Sequence, residues 1–164
     1  MQTQEAIKQR RSVRSFQDKP ISRGLIEKIV DAGRLAPTAR NIQPWEFIAV
    51  TQKEILKKLG QIADTGSFIS QCSACIVVCS EDTKYYLEDG CAATENILIA
   101  ATDLGLASCW VAGDKKPYAE KVKELLGIPK EFKLVSLIAL GYADLPKETP
   151  SKRTLKEVLH WQRF

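Results

Sequence analysis

The stretch CAATENILIAATDLG, residues 91–105, is apolar on nearly every side of a helical wheel. A helix on a protein surface carries one apolar stripe, whereas one apolar almost all round lies inside. Its small residues Ala92, Ala93, Ala100 and Ala101 let a neighbouring helix approach closely. The spacing predicts a helix over 84–104, either at the centre of a domain or across a dimer axis.

Outward from this helix, strands and helices intermix. ACIVVCS (74–80) precedes it and reads as a buried strand by its β-branched run. ASCWVAG (107–113) follows it, and WEFIAVT (45–51) and KLVSLIALGYA (133–143) are strands farther out. TQEAIKQR (3–10) predicts a short helix. Ser22 is a candidate N-cap for RGLIEKIVDAGRLA (23–36), where Leu25, Ile26, Ile29, Val30 and Ala36 keep helical spacing until Pro37. KEILKKLGQI (53–62) sets Ile55, Leu56, Leu59 and Ile62 on one side, and KPYAEKVKELLG (116–127) ends at Gly127. TLKEVLHW (154–161) suits one more turn or two. There is no βαβ regularity, so the expected class is α+β, in a single domain over residues 1–164.

The composition is that of an ordinary soluble globular chain: 164 residues, 45% hydrophobic and 27% charged. Such a chain buries about two-thirds of its unfolded surface. A net charge of +4 without a long basic run gives no reason to expect nucleic acid. No apolar run is long enough for a membrane span, since Asp103 and two glycines interrupt residues 96–113. MQTQEAIKQRR lacks the apolar core of a signal peptide, which leads to the expectation of a cytoplasmic protein.

Five cysteines, an odd count, argue against a disulfide framework. Cys72 and Cys75 form a CxxC, but zinc would need two more ligands and the single histidine, His160, is remote. A redox dithiol should open a helix, whereas this pair leads into a strand. Small apolar fillers and no metal site are expected. One histidine and no G-x-S-x-G elbow disfavour a Ser–His–Asp site. Without a P-loop or a G-x-G-x-x-G, a nicotinamide nucleotide would visit as a substrate rather than reside in a Rossmann pocket. DTGS (64–67) reads as a helix-ending turn, with Gly66 supplying backbone freedom and Asp64 bonding locally.

Three segments carry chemistry. RRSVRSF (10–16) groups Arg10, Arg11 and Arg14 around Ser12, a donor set that suits a phosphate; the alternative is a solvated helix end. APTARNIQPWEF (36–47) offers Thr38, Asn41 and Gln43 to a flat heteroaromatic ligand, or simply joins a helix to a strand with Trp45 in the core. GLASCWVAGDKK (105–116) ends its strand at Ala112-Gly113, where a glycine lets the backbone come close to a bound ring.

Together with DGCAATENILIAATDLGLASCWVAG (89–113), LGIPKEFKLVSLIALGYAD (126–144) and KRTLKEVLHW (152–161), these segments resemble the nitroreductase family of FMN-dependent flavoproteins, in the family's order and over almost the whole chain. The resemblance implies a three-layer α+β fold, with a central, mostly antiparallel sheet flanked by helices. It also implies an obligate homodimer with two FMN sites at the interface. Arg10, Arg11, Ser12 and Arg14 match the N-terminal flavin-binding motif: Arg10 and Ser12 as phosphate ligands, Arg14 as the cation at the pyrimidine edge. Lys152 and Arg153 match a basic pair that returns to the phosphate. Pro37, Thr38, Ala39, Asn41 and Gln43 match a loop that generally reaches the partner's flavin. Ala112 and Gly113 match the strand end where a backbone N–H faces N5.

In such enzymes NADH or NADPH gives hydride to the flavin, and a nitroaromatic, quinone or other small acceptor takes it in a ping-pong cycle. No side chain acts as a catalytic nucleophile or base, and a cation near the ring stabilises negative charge on its reduced form. Only SEDTKYYLEDG (80–90) stands where longer members carry helices that roof the flavin, so Tyr85 and Tyr86 are expected to be what remains of the roof. A protein that stores or delivers FMN with little turnover, and a scaffold that has lost flavin, are the other readings.

Overall fold

A computed structural model describes residues 2–144 and 151–164. The chain begins with α1 (Thr3–Gln9) and α2 (Arg23–Arg34), then β1 (Trp45–Val50) and α3 (Lys53–Ile62). After a 3-10 segment, Asp64–Gln71, come β2 (Ala74–Glu81), α4 (Tyr86–Asp103), β3 (Ala107–Ala112), α5 (Ala119–Leu126) and β4 (Phe132–Gly141).

The four strands form one antiparallel sheet in the order β1-β2-β4-β3, so β1 and β3 are its edges. The sheet is buried on both faces, which is why β2 and β4 read as continuous apolar runs. On one face Ile76, Val78, Ile138 and Leu140 pack against Ile26 and Ile29 of α2 and Ile97, Leu98 and Ala101 of α4. On the other, Cys75, Val77, Leu137 and Ala139 pack against Leu56 and Leu59 of α3, Ile69, and Val122 of α5. Helices, sheet and helices make three layers, as expected.

The central helix is where the sequence placed it. Thr94 bonds Ser136 of β4 at 2.8 Å and donates back to the Gly90 carbonyl, so its hydroxyl is satisfied inside the core. Gly90 lies so close to β4 that a Cβ there would meet Val135 at 2.7 Å. Ser22 caps α2, accepting from the Leu25 N–H at 3.4 Å. That helix stops at Arg34, ahead of Pro37, because the Leu35 and Ala36 amides turn back to the Ala32 and Gly33 carbonyls. Helix α5 starts at Ala119 rather than 116, after a turn through Pro117 and Tyr118, and ends on Gly127 at φ 67°.

The DTGS segment opens the 3-10 stretch, and the expectation for Gly66 needs correction. Its φ is −124°, and a Cβ would lie 3.0 Å from Val111, so what the position requires is space rather than backbone freedom. Cys72, Cys75, Cys79 and Cys109 are buried core residues. Burial pushes Cys72 and Cys79 up to about 11 and Cys75 well above its ordinary value. Among the described residues no helix is long and apolar enough to cross a membrane.

Candidate functional site

Residues 10–17 run as an extended strap along the open edge of β3. Arg10 caps the end of α1, with its N–H on the Ala6 carbonyl. Arg11 folds back, donating to the carbonyls of Lys8 at 2.6 Å and Arg10 at 2.7 Å. Its guanidinium therefore satisfies the exposed end of α1, as a cation at a helix C-terminus does. The Val13 N–H then bonds the Ser108 carbonyl at 2.9 Å, and Gln17 bonds Tyr142. Buried Val13 and Phe16 pin the strap, while Ser12 and Arg14 stay exposed. The Arg10 Nε lies 3.7 Å from Glu95 of α4, and the Arg14 guanidinium lies 5.8 Å from the Phe68 ring centre.

Three of the four predicted residues of this motif meet at one place. Burial raises the Cys109 thiol, and Arg14, a hydrogen bond with Ser12, and Arg10 pull it back. Ser12 bridges to Ser108, next to Cys109 in β3, and the charges of Arg14 and Arg10 are near enough to act on the thiol. Beside them the Arg11 Nε and the Ser108 Oγ are buried without a hydrogen-bond partner.

The second segment is the loop 37–43. Arg40, Asn41 and Gln43 all have positive φ, at 56°, 55° and 54°. Such conformations cost an L-residue about 1–2 kcal/mol each, so something outside the loop must hold it. Asp89 of α4 does so. Its carboxylate accepts from the Thr38 hydroxyl at 2.8 Å and from the Ala39 N–H at 3.3 Å. Thr38 in turn accepts from the Gln43 N–H at 3.2 Å. Asn41, Gln43 and Pro37 are exposed, whereas Trp45 is buried with Ala36 and Ala93 beneath the loop. Trp45 is thus core; of the polar residues before it, Thr38 is engaged with Asp89, the Gln43 Nε2 lies 3.5 Å from the Asn41 carbonyl, and the Asn41 side chain is exposed.

The third segment is the end of β3. The Gly113 N–H donates to the Val135 carbonyl at 3.0 Å, so it is committed to β4. Hydrogen-bonding direction alternates along an antiparallel strand, so the Ala112 peptide faces the open edge, as that of Ser108 does. The Ala112 carbonyl accepts from the Tyr118 hydroxyl there. A Cβ at Gly113 would meet Leu134 at 2.6 Å, so the chain can take this path only with glycine. The next residue, Asp114, accepts from the Tyr86 hydroxyl at 2.7 Å, which pushes Tyr86 up to about 12. Tyr86 is half-buried and ties α4 to this turn, and Tyr85 is exposed beside Lys84.

Lys152 and Arg153 lie in an exposed tail, residues 151–164. Among the described residues no hydrogen bond or ion pair joins them to Arg10, Arg11 or Arg14. The tail forms one 3-10 turn, Leu155–Glu157, closed by Thr154 and Glu157, and leaves Leu155 70% and Trp161 76% exposed.

Sequence reasoning missed Asp89, Glu95 and Asp114. An acid one turn into an otherwise buried helix needs a partner, which was a usable signal for Asp89. Nothing in the sequence pointed to Thr38, 51 positions away. The residues present fit a phosphorylated ring: an exposed hydroxyl between two guanidinium groups along one strand edge, and an open backbone N–H at its end.

A model of the nitroreductase family matches residues 7–71 and 80–142. A protein of Archaeoglobus fulgidus, whose name pairs NADH dehydrogenase with NAD(P)H nitroreductase, is 44% identical over 142 residues, covering 81% of this chain and 80% of its own. A similarly named crystal structure from Parabacteroides distasonis superposes with a TM-score of 0.93 at 32% identity, covering 100% of this chain and 99% of that one. An FMN-dependent nitroreductase from Clostridium difficile gives 0.91 at 29% identity, covering 97% and 98%. Strap, central helix and strands β1, β3 and β4 fall within the matched segments, and the chain belongs to the nitroreductase family of NAD(P)H oxidoreductases.

Proposed function

We propose that this protein is an FMN-dependent oxidoreductase that takes hydride from NADH or NADPH and passes it to a quinone, nitroaromatic or similar small acceptor. The observation that carries this reading is the strap that lays Ser12, flanked by Arg10 and Arg14, along Ser108 on the open edge of β3, whose far end presents the Ala112 N–H. When bound, the flavin supplies hydride acceptance and donation.

The chain supplies placement and charge. Arg10 and Ser12 bind the phosphate, with Lys152 and Arg153 of the tail completing its cations. Arg14 would stand at the pyrimidine edge of a bound flavin, where a fixed cation would stabilise negative charge on the reduced ring. The Ala112 N–H would donate toward N5. Pro37, Thr38, Ala39, Asn41 and Gln43 form the loop that meets the ring across a homodimer interface. The homodimer is supported by the apolar side chains of the tail, Leu155, Val158, Leu159 and Trp161, which have no cover in one chain. Only residues 82–85 separate β2 from α4, which keeps the site open enough for two substrates to use one face in turn.

The test is the visible spectrum of the protein after mixing with FMN and desalting, followed by anaerobic addition of NADH or NADPH and then a quinone. Retained flavin that bleaches and recovers within seconds is expected. Retained flavin that bleaches only over hours would favour storage or delivery of FMN. A colourless, folded protein would end the flavin reading.

A further inference from the structure

The buried acid at the start of the central helix has no role in the proposed flavin chemistry. Asp89 is 6% exposed and lies in the first turn of α4, where helix amides favour negative charge. Its hydrogen bonds to the Thr38 hydroxyl and the Ala39 N–H both run to the loop 37–43. We infer that Asp89 is a positioning residue, whose carboxylate sets the shape of the loop that presents Asn41 and Gln43 to the flavin. The loop's task as a flavin contact rests on the proposed function; its shape does not.

Hydrogen-bond polarity fixes this arrangement. A hydroxyl has one proton to give. An unprotonated carboxylate can only accept, so Thr38 must spend that proton on Asp89. Its lone pairs are then left for the Gln43 N–H, which they receive at 3.2 Å. The Ala39 amide is held by the second carboxylate oxygen. One buried side chain thereby anchors both ends of the segment that contains all three left-handed residues, Arg40, Asn41 and Gln43. The segment has no glycine to adopt those conformations at low cost. An asparagine of equal size is a poorer anchor. With its oxygen toward the Ala39 N–H, its own N–H can still donate to the Thr38 oxygen, but both bonds lose their charge and the Thr38 proton loses its acceptor.

The experiment compares Asp89→Asn, Thr38→Val, Thr38→Ser and the Asp89→Asn/Thr38→Val double variant. Amide hydrogen exchange at Ala39 and Gln43 is measured without flavin. FMN affinity and the midpoint potential of the bound flavin are measured with it. Asp89→Asn is expected to speed exchange at both amides by about tenfold or more and to weaken FMN binding by about tenfold. It is also expected to shift the potential. Thr38→Ser keeps the relay and should leave exchange at Ala39 and Gln43 within about twofold of the unaltered protein. Thr38→Val should speed exchange at Gln43, and the double variant should bind FMN within about twofold of Asp89→Asn, because both break one relay. Unaltered exchange at Ala39 and Gln43 in a folded Asp89→Asn protein would overturn the inference. So would faster exchange with unaltered FMN affinity and potential. If the unaltered protein bound no FMN, the flavin reading would fall alone, and exchange would still decide whether Asp89 sets the loop. If Asp89→Asn did not fold, Thr38→Val would decide through Gln43 exchange and FMN affinity.

Discussion

Arg11 and Arg14 lie three positions apart and serve different ends. Arg11 turns back onto the carbonyls of Lys8 and Arg10, whereas Arg14 stays exposed beside Ser12 and Cys109. Replacing Arg14 with alanine is expected to weaken FMN binding by about 10- to 100-fold, the range for losing a hydrogen bond to a charged group. Arg11→Ala should lower the melting temperature of the flavin-free protein and change FMN affinity by less than Arg14→Ala does. Fluorescence titration and thermal melts check both, and equal losses of affinity in the two variants would merge their roles. The density of the cluster made an anion one of two readings. The split between its members was not legible, because it depends on α1 ending at Gln9 and on the strap then lying along β3.

At the scale of elements, α4 holds the site together. Its first turn reaches the loop 37–43 through Asp89 and the end of β3 through Tyr86. Gly90, just beyond them, lets the helix lie against Val135, whose carbonyl holds Gly113. Gly90→Ala would force a methyl to 2.7 Å from Val135, and overpacking of this kind costs about 1–3 kcal/mol. Gly24, in the first turn of α2, has nothing within 4 Å of where an alanine methyl would stand. Gly24→Ala should therefore stabilise by about 0.5–1 kcal/mol. Urea unfolding of the two variants tests the contrast, and a Gly90→Ala protein as stable as the parent would mean that the α4–β4 contact gives way. Hydrophobic spacing located α4 to within two residues at its start. It could not reveal that this end of the helix is a junction, since hydrogen bonds over 28 and 51 positions leave no periodic trace.

At the scale of the molecule, the sheet's buried thiols set a limit at alkaline pH. Burial raises Cys72 from 9.0 to about 11, and Cys79 likewise. The folded state then binds protons that the unfolded chain has already released. Their stabilising contribution is full below pH 9, falls as pH rises, and is gone above about 11. Cys72 accounts for roughly 2–3 kcal/mol of that loss. Tyr86 adds a decline of the same sign between its ordinary 10.0 and about 12. Urea midpoints measured from pH 8 to 11 should fall steadily, and Cys72→Ala should flatten part of the slope. The proposed dimer is tested by deleting residues 151–164. The shortened chain is expected to sediment with a reduced dimer fraction and to lose FMN. A dimer of undiminished affinity would mean that the tail plays no part in association.

The sequence by itself determined the layers: apolar periodicity reports which faces of a helix or strand must leave water, and those faces lead to one sheet between helices. It also pointed to a flavin, through the resemblance of several segments in order to the nitroreductase family. Only the tertiary structure decided which groups are committed within the fold and which stay open. The Gly113 N–H is spent on β4 while that of Ala112 faces the open edge, a choice made by strand register. Arg11 is spent on a helix end, and a loop of three left-handed residues is held by an acid from the far side of β2 in sequence. Each of these is a competition between partners for one donor or acceptor. Its outcome depends on distances in space that no local pattern encodes.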